Sequence, residues 1–343
     1  MADPNSKPKE REAAPQPACF DRFRTIAFIG LGLIASSMSL ALRRAGFDGR
    51  IVGTARTEAT RLRALELGLI DEGFASSADA CRDADLVVLC VPVGACAAVA
   101  REIAPVVGDR TVITDVGSVK ESVIKAVSPE LPNPGLFVPA HPIAGTEKSG
   151  PDAGFAELFD RKWCLLTPTE ETDADAMQAV AELWMALGSD IDTLAPDHHD
   201  LVLAITSHLP HLIAFNIVNA AAHLGEVTNS DVIKYSAGGF RDFTRIGASD
   251  PVMWRDVFLN NRDATLEMLG RFEEDLTELR RAIRYGDGAV LEKRFAEART
   301  VRRGIIDAGQ DVDTADFGRG LARRVSVEDG APTGQQAGGE ADG

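Results

Sequence analysis

Residues 25–46 read TIAFIGLGLIASSMSLALRRAG, and this stretch decides the fold of the first half of the chain. It begins with the short apolar run IAFI, which is typical of a buried strand. The turn GLGLIA follows with the spacing G-x-G-x-x-A, and apolar residues then recur at helical spacing until Gly46. A strand, a glycine turn and a helix in this order predict a dinucleotide-binding site. The alternative is a tight strand-to-helix turn that binds nothing.

Each small residue of the turn has a physical role. Gly30 permits the tight turn, Gly32 lets the backbone approach a pyrophosphate, and Ala35 keeps the helix close to the strand. The first N–H groups of the helix and its positive dipole end favour phosphate binding. The candidate cofactor-binding residues in the strand-end turns are Gly30, Gly32, Leu33, Ile34, Arg56, Thr57, Val91 and Pro92.

Outward from this stretch, strand-like and helical patterns alternate. Further strands are predicted at residues 50–54, 85–91, 111–116, 136–140, 162–166 and 191–194, and helices at 57–67, 95–103, from Val119, and 173–187. This alternation predicts an α/β, Rossmann-type fold with a doubly wound, mostly parallel sheet. The alternation stops near Ala195.

The remaining pattern is helical. Residues 200–224 are nearly all apolar, with Pro210 expected to kink the helix, and Asp250 followed by Pro251 predicts the start of a long helix that runs to about Tyr285. A further helix is predicted at 288–303. A helix that is apolar all round needs a partner surface, so the sequence predicts a two-fold homodimer built on this all-helical half.

The domain boundaries follow from these patterns. We expect a disordered tail at 1–22, a dinucleotide-binding domain at 23–194, an all-helical substrate and dimerisation domain at 195–325, and a second disordered tail at 326–343.

The composition of the chain disfavours several classes of binding partner and location. A net charge of −16 over 343 residues argues against nucleic acid and anionic membranes as partners, and it means that an anionic substrate needs a locally basic site. We find no apolar run of the ~18 residues that span a bilayer, and the polar first residues do not resemble a secretory signal, so a cytoplasmic protein is expected. The five cysteines lack C-x-x-C spacing and are expected to be buried free thiols. No cluster of residues has metal-ligand spacing.

Four short segments concentrate polar chemistry: DVGSVK at 115–120 and HPIAGTEK at 141–148, each after a predicted strand, SHLPH at 207–211 in the apolar helix, and GGFRDFTR at 238–245, expected to be a loop between helices. Each has a structural alternative, such as a turn, a core histidine, a helix-ending loop or a surface lysine. Their combination with a cofactor turn favours oxidation of a small anionic alcohol, with a histidine as base.

Taken together, the motifs GLGLIASS, DVGSVK, HPIAGTEKSG, SHLPH, GGFRDFTRI and SDPVMWRD resemble the prephenate/arogenate (cyclohexadienyl) dehydrogenases of tyrosine biosynthesis, of the type without a fused mutase or ACT domain. The resemblance covers residues 25–303. It implies a first domain that binds NAD or NADP, a helical domain that dimerises, and an oxidative decarboxylation. Its product would be 4-hydroxyphenylpyruvate from prephenate or tyrosine from arogenate.

The resemblance also implies residue roles. His141 would accept the proton of the ring hydroxyl as hydride leaves, and Ser118 would hydrogen-bond His141 and the nicotinamide region. Arg245 would pair with a carboxylate of the dianionic substrate, and His208 would hold another polar group. The residues expected to line or gate the site are Thr146, Glu147, Gly239 and Asp242, with the partner subunit as an alternative source of Asp242.

One departure from the usual pattern concerns the cofactor. The second predicted strand is followed by Ala55-Arg56-Thr57, without the acidic residue that usually marks an NAD site. The sequence therefore favours acceptance of NADP, although stacking of Arg56 on the adenine with NAD still preferred stays open. Two other functions also stay open: a β-hydroxyacid-type reductase, which would need a catalytic lysine in the helical half, and a catalytically idle dinucleotide sensor.

Overall fold

The computed structural model describes residues 17–223 and 238–307. The opening stretch folds as its sequence predicts: strand β1 (Thr25–Ile29) leads through the glycine turn into helix α2 (Leu33–Arg44). Gly46 has a φ of 91°, and its N–H donates to the carbonyl of Arg43, which ends the helix.

The principal sheet has six parallel strands in the order β3-β2-β1-β4-β5-β6. The other five strands are β2 (Arg50–Thr54), β3 (Glu72–Phe74), β4 (Leu86–Leu89), β5 (Val112–Asp115) and β6 (Phe137–Val138). β1 pairs with both β2 and β4, so the strand order reverses beside β1. In sheets of this kind the cofactor lies at this switch point, outside the carboxyl ends of the strands.

Helices cover both faces of this sheet, as the doubly wound prediction requires. Ile26 and Phe28 of β1 belong to one apolar cluster, and the alternate residues Ala27 and Ile29 belong to another. The first cluster includes residues of α1 (Cys19–Arg22), α2 and α7 (Ala174–Ala186), and the second includes residues of α4 (Ser77–Cys81), α5 (Cys96–Ile103) and α6 (Glu121–Val127). Helix α3 (Glu58–Glu66) follows β2.

A second, three-stranded sheet departs from the single-sheet expectation. It consists of β7 (Ala140–Pro142), β8 (Trp163–Leu166) and β9 (Asp190–Thr193), with β7 and β8 antiparallel. The chain leaves the principal sheet at β6 and enters the second one after Pro139. β3 and α4 were not predicted, because both are short and carry few apolar residues.

The described part of the predicted N-terminal tail is ordered, which corrects the expectation for residues 17–22. Cys19–Arg22 forms helix α1, and Phe20 and Phe23 are buried in the first apolar cluster. A four-residue helix is too short to give a periodic signal, so its apolar contacts were missed. The rest of that tail and the predicted tail at 326–343 lie outside the described residues.

The second half is helical, with two corrections. The apolar helix comprises α8 (Pro196–Leu203), a π turn at Ala204–His208 and α9 (Leu209–His223). Gly238–Thr244, predicted to be a loop, is helix α10. The helix that begins at Asp250-Pro251 does not continue to Tyr285 but divides at Asn261 into α11 (Pro251–Asn260) and α12 (Arg262–Tyr285).

The π turn and the break at Asn261 have physical reasons. The π turn ends two residues before Pro210, whose missing N–H already disrupts the regular ladder of backbone hydrogen bonds. Asn261 leaves helical geometry, and its side-chain amide donates to the Asp200 carbonyl at 2.8 Å, so a tertiary contact overrides local propensity.

The structure also corrects the expectation about membrane-length segments. Pro196–His223 has the length and the hydropathy, 1.7 over its most apolar window, of a membrane span, with 28% of that window buried. Polar residues interrupt the apolar run without lowering the mean hydropathy of that window below the value of a membrane span. One such helix is weak evidence for a membrane protein, because core helices have the same composition.

The chain divides into two compact units, one ending at Arg271 and the other beginning at Phe272. The second contains the end of α12 and α13 (Gly288–Asp307), joined by ion pairs from Arg294 to Glu278 and Asp275. All the site residues below belong to the first unit. The five cysteines are free.

Candidate active site

The glycine turn has the space that a dinucleotide requires. Gly30 has a φ of 101°, and a Cβ there would lie 2.4 Å from the Cys90 carbonyl oxygen, so only glycine fits. A Cβ on Gly32 would meet no atom within 4 Å, which leaves the backbone open to a phosphate group. No side chain caps the N-terminus of α2. The turn therefore fits the pyrophosphate of a dinucleotide cofactor.

The first three residues that follow β2 at this edge of the cofactor site are not acidic. Ala55 is half-buried, whereas Arg56 and Thr57 are exposed. Thr57 caps α3, accepting the Thr60 N–H at 3.2 Å. Within the described residues, Arg56 has no ion-pair partner. Val91 and Pro92 follow β4 at the same sheet edge.

A buried ion pair supports the neighbouring strand end. Lys120 Nζ donates to Asp115 Oδ2 at 2.5 Å and to the Ala140 carbonyl at 2.6 Å, and both charged side chains are almost completely buried. Asp115 Oδ1 accepts the Ala140 N–H at 3.2 Å. The pair therefore holds the backbone immediately before His141 from both sides. Neither lysine nor aspartate is a surface charge here.

His141 lies within β7 rather than beyond a strand end, and it is 9% exposed. Its Nδ1 lies 2.9 Å from His199 Nε2, and His199 Nδ1 lies 2.8 Å from Asp200 Oδ1. Among the described hydrogen bonds, the partner of His141 is thus His199 rather than Ser118. Ser118 is half-buried between Asp115 and Lys120, and its bond to His141 stays a prediction.

The surroundings of His141 keep its ring neutral. Burial holds the pKa of His141 well below 6.5, and positive charge on His199, when that ring is protonated, and on Lys120 lowers it further. Burial also lowers the pKa of His199. A neutral imidazole is the protonation state that a general base needs.

A second group of predicted residues lies at an exposed ion pair. Arg245 donates to Glu147 Oε2 at 3.1 Å, joining the HPIAGTEK segment to the turn that follows α10. The pKa of Glu147 lies below its ordinary value, because its own backbone N–H donates to the carboxylate and Arg245 is nearby. Thr146 is exposed and accepts the Lys148 N–H. The Asp242 side chain is half-buried, and its Oδ1 lies 3.8 Å from Arg241 Nε.

The two histidines of SHLPH occupy different environments. His208 is completely buried, and its Nδ1 lies 3.0 Å from the Asn261 amide. Burial lowers the pKa of His208 to about 4, so it is neutral. His211 is only partly buried and stacks on Trp254 with ring centroids 3.7 Å apart. The positive charge of Arg245 contributes to lowering its pKa, after burial itself.

Direct contacts join three of the four predicted segments and the start of the apolar helix. They are Lys120 to Ala140, which precedes His141, His141 to His199, and Glu147 to Arg245. Gly239 is exposed in α10 and makes none of these contacts. His199 and Asp200 were not predicted as neighbours of His141, and His208 was predicted as a substrate contact although His211 is the more accessible ring. The only available signal was the pair His199-Asp200 at the start of an apolar helix.

Comparisons with known proteins agree with this architecture. Residues 38–193 match the nucleotide-binding domain of prephenate dehydrogenase, and residues 195–297 match its dimerization domain. A cyclohexadienyl dehydrogenase of Zymomonas mobilis is 44% identical over 280 residues, which cover 82% of this chain and 95% of that protein.

Solved structures give the same result. Prephenate dehydrogenase from Aquifex aeolicus, in complex with hydroxyphenyl propionate and NAD+, matches with a TM-score of 0.77 at 35% identity, over 82% of this chain and 98% of the other. The arogenate dehydrogenase of Synechocystis matches with a TM-score of 0.67 at 27% identity, over 82% and 99%. With its glycine turn, its buried histidines and these relatives, the chain belongs to the prephenate dehydrogenase family of oxidoreductases.

Proposed function

We propose that this enzyme uses NAD(P) to oxidise and decarboxylate prephenate, arogenate or both. The products are 4-hydroxyphenylpyruvate from prephenate and tyrosine from arogenate, so the reaction belongs to tyrosine biosynthesis. The names of the relatives support both substrates, and hydroxyphenyl propionate, bound to the Aquifex protein, shares the phenol ring and three-carbon acid of the first product.

The observation that carries the proposal is the buried, neutral His141 beside the carboxyl edge of the sheet. A nicotinamide cofactor bound at that edge supplies the hydride acceptor. His141 takes the proton from the ring hydroxyl, which lets the carbon become a carbonyl as hydride leaves. Loss of CO2 then completes an aromatic ring, and this makes the overall step favourable.

The substrate is a dianion and needs positive charge in a chain with a net charge of −16. Arg245 supplies it with a planar guanidinium that can hold a carboxylate through two hydrogen bonds. Its present partner is Glu147, so substrate binding would exchange one carboxylate for another. His211 stacks on Trp254, and the charge of Arg245 contributes to lowering its pKa. His211 is therefore a better substrate contact than the buried His208.

The cofactor preference is a finer proposal. The exposed Arg56 and the absence of an acid before Glu58 favour acceptance of NADP, because no carboxylate repels a 2′-phosphate there. The roles of Thr146, Glu147, Gly239 and Asp242 in lining or gating the substrate site stay predictions.

The match of residues 195–297 to a dimerization domain supports a homodimer built on the helical half. Such an interface accounts for the apolar, poorly buried helix Pro196–His223 without a membrane. The cytoplasmic location stays a prediction from the sequence.

The test is a substrate panel with the purified enzyme. We would mix it with prephenate, arogenate or a 3-hydroxy acid, each with NAD and with NADP, and measure reduced nicotinamide, CO2 and the aromatic product. We expect these three products in equal amounts with prephenate or arogenate. Turnover of the 3-hydroxy acid alone would instead assign a β-hydroxyacid reductase, and cofactor binding without any turnover would assign a sensor.

A further inference from the structure

His199 is the side chain that lies within hydrogen-bond distance of the His141 ring. It belongs to the first turn of α8, is fully buried, and lies beside the exposed His198. It lies 58 positions after His141 in the sequence, yet His141 Nδ1 and His199 Nε2 are 2.9 Å apart. A buried histidine so close to the proposed base is not explained by packing alone.

The hydrogen bonds of Asp200 determine where the protons lie on His199 and His141. Its Oδ1 accepts the Lys120 N–H at 2.7 Å, and its Oδ2 accepts the Glu121 N–H at 3.0 Å. Two backbone N–H donors favour the ionised form of this carboxyl group, which can only accept hydrogen bonds. His199 Nδ1, 2.8 Å from Oδ1, must therefore be the donor of that hydrogen bond.

The tautomers of both histidine rings follow from this hydrogen bond. Burial favours the neutral form of His199, and a neutral imidazole with its proton on Nδ1 has a lone pair on Nε2. His199 Nε2 therefore accepts, and His141 Nδ1 must donate to it. A neutral His141 with its proton on Nδ1 has its lone pair on Nε2. The hydrogen bonds thus select the tautomer in which Nε2 can act as a base.

We propose that His199 and Asp200 are positioning residues that hold His141 as the Nδ1–H tautomer and stabilise its imidazolium form when Nε2 accepts the substrate proton. The assignment of His141 as base rests on the proposed function. The tautomer itself does not, because it follows from the hydrogen bonds of the protein alone.

Asp200 also has an electrostatic role in this proposal. The charged and titratable groups around His141 are Lys120, His199, His208 and, beyond them, Asp115 and Asp200. Asp115 already pairs with Lys120. The carboxylate of Asp200, reached through the His199 ring, is then the remaining negative group that favours a positive His141. A protonated His199 would lower the pKa of His141 by repulsion, whereas a neutral His199 that accepts the Nδ1–H favours the positive ring. Without this bond to the neutral His199 ring, His141 would be a weaker base.

Two substitutions at His199 separate positioning from packing. His199→Leu removes the acceptor, whereas His199→Gln keeps an amide oxygen that can accept the His141 Nδ1–H. We expect His199→Leu to lower kcat by about 10²-fold or more with little change in KM, and His199→Gln to restore about tenfold of that loss. His198→Gln, on the neighbouring exposed ring, is the matched control and should keep wild-type kcat.

The pH profile distinguishes this role from a merely structural one. In His199→Leu, His141 loses a bond that favours its charged form, so the acid limb of kcat/KM should move to lower pH, and His199→Gln should move it less. Wild-type kcat in His199→Leu would overturn the proposal. Equal losses in both variants with an unmoved acid limb would also overturn it.

A measurement on the wild-type protein needs neither a substrate nor a folded variant at position 199. With ¹⁵N-histidine labelling and His141→Asn used to assign the signals, NMR reports which ring nitrogen carries the proton. We expect a protonated Nδ1 and an unprotonated Nε2 for His141 near neutral pH. A proton on Nε2 would overturn the proposal, whatever the enzyme proves to oxidise.

Discussion

At the scale of single residues, the site separates buried neutral groups from exposed charged ones. His141, His199 and His208 are buried, and burial lowers the pKa of all three, so none adds charge near neutral pH. The exposed charges are Arg245 and Glu147. Proton transfer and anion binding are therefore assigned to different residues, and substitutions should affect them separately.

Arg245→Ala tests the anion site. The variant loses a charge-assisted bond worth roughly 1.5–3 kcal/mol, so KM for prephenate or arogenate should rise about tenfold or more while KM for the cofactor changes little. Steady-state kinetics measure both. Arg241→Ala is the control, because Arg241 lies in the same segment and is similarly exposed. An unchanged substrate KM in Arg245→Ala would show that the carboxylate binds elsewhere.

Arg56→Ala tests the cofactor site. If the guanidinium binds a 2′-phosphate, the variant should lose about tenfold in kcat/KM with NADP and little with NAD. Arg101→Ala, an exposed arginine paired with Glu130, should leave the ratio between the cofactors unchanged. The wild type could instead prefer NAD strongly, with the same preference in Arg56→Ala. That result would mean that Arg56 does not bind the 2′-phosphate of NADP.

At the scale of elements, helix α11 carries Trp254 to the stacked position against His211. Its N-terminus is fixed by Asp250, whose Oδ1 accepts the Met253 N–H at 2.8 Å, with Pro251 at the first helical position. We expect Asp250→Ala to lower the free energy of unfolding by about 1 kcal/mol, measured in urea. Asp250→Ser, which keeps a capping oxygen, should recover most of it, and equal stability of both variants would contradict the capping role.

Elements that depend on local chemistry were predictable from the sequence. The glycine turn and the Asp250 cap are examples, because glycine geometry and a capping carboxylate act within a few residues. Elements that depend on contacts between residues distant in the sequence were not predictable from it. The helical state of Gly238–Thr244 and the break at Asn261 oppose local propensity, and the contact of His141 with His199 arises only when the two halves of the site fold together.

At the scale of the whole molecule, we propose that a second copy of the chain covers the exposed apolar face of α9. Ile217 is 39% exposed and Val218 is 38% exposed. Light scattering should give about twice the chain mass of 36.6 kDa, and Ile217→Glu should shift the protein towards monomer. Leu62→Glu, on an equally apolar but unrelated exposed position of α3, should not. A wild-type protein that stays monomeric at all concentrations would contradict the dimer.

The account as a whole depends on His141, and one comparison tests it most directly: kcat and ligand binding of His141→Asn against the wild type. The wild type should lose kcat/KM as pH falls through the pKa of His141, which lies well below 6.5, because only the neutral ring accepts a proton. In His141→Asn we expect kcat to fall by about 10²–10⁴-fold, while the dissociation constants of the cofactor and of hydroxyphenyl propionate, measured by fluorescence, change by less than about threefold. A variant that binds both ligands and turns over at the wild-type rate would contradict the central role given to this histidine.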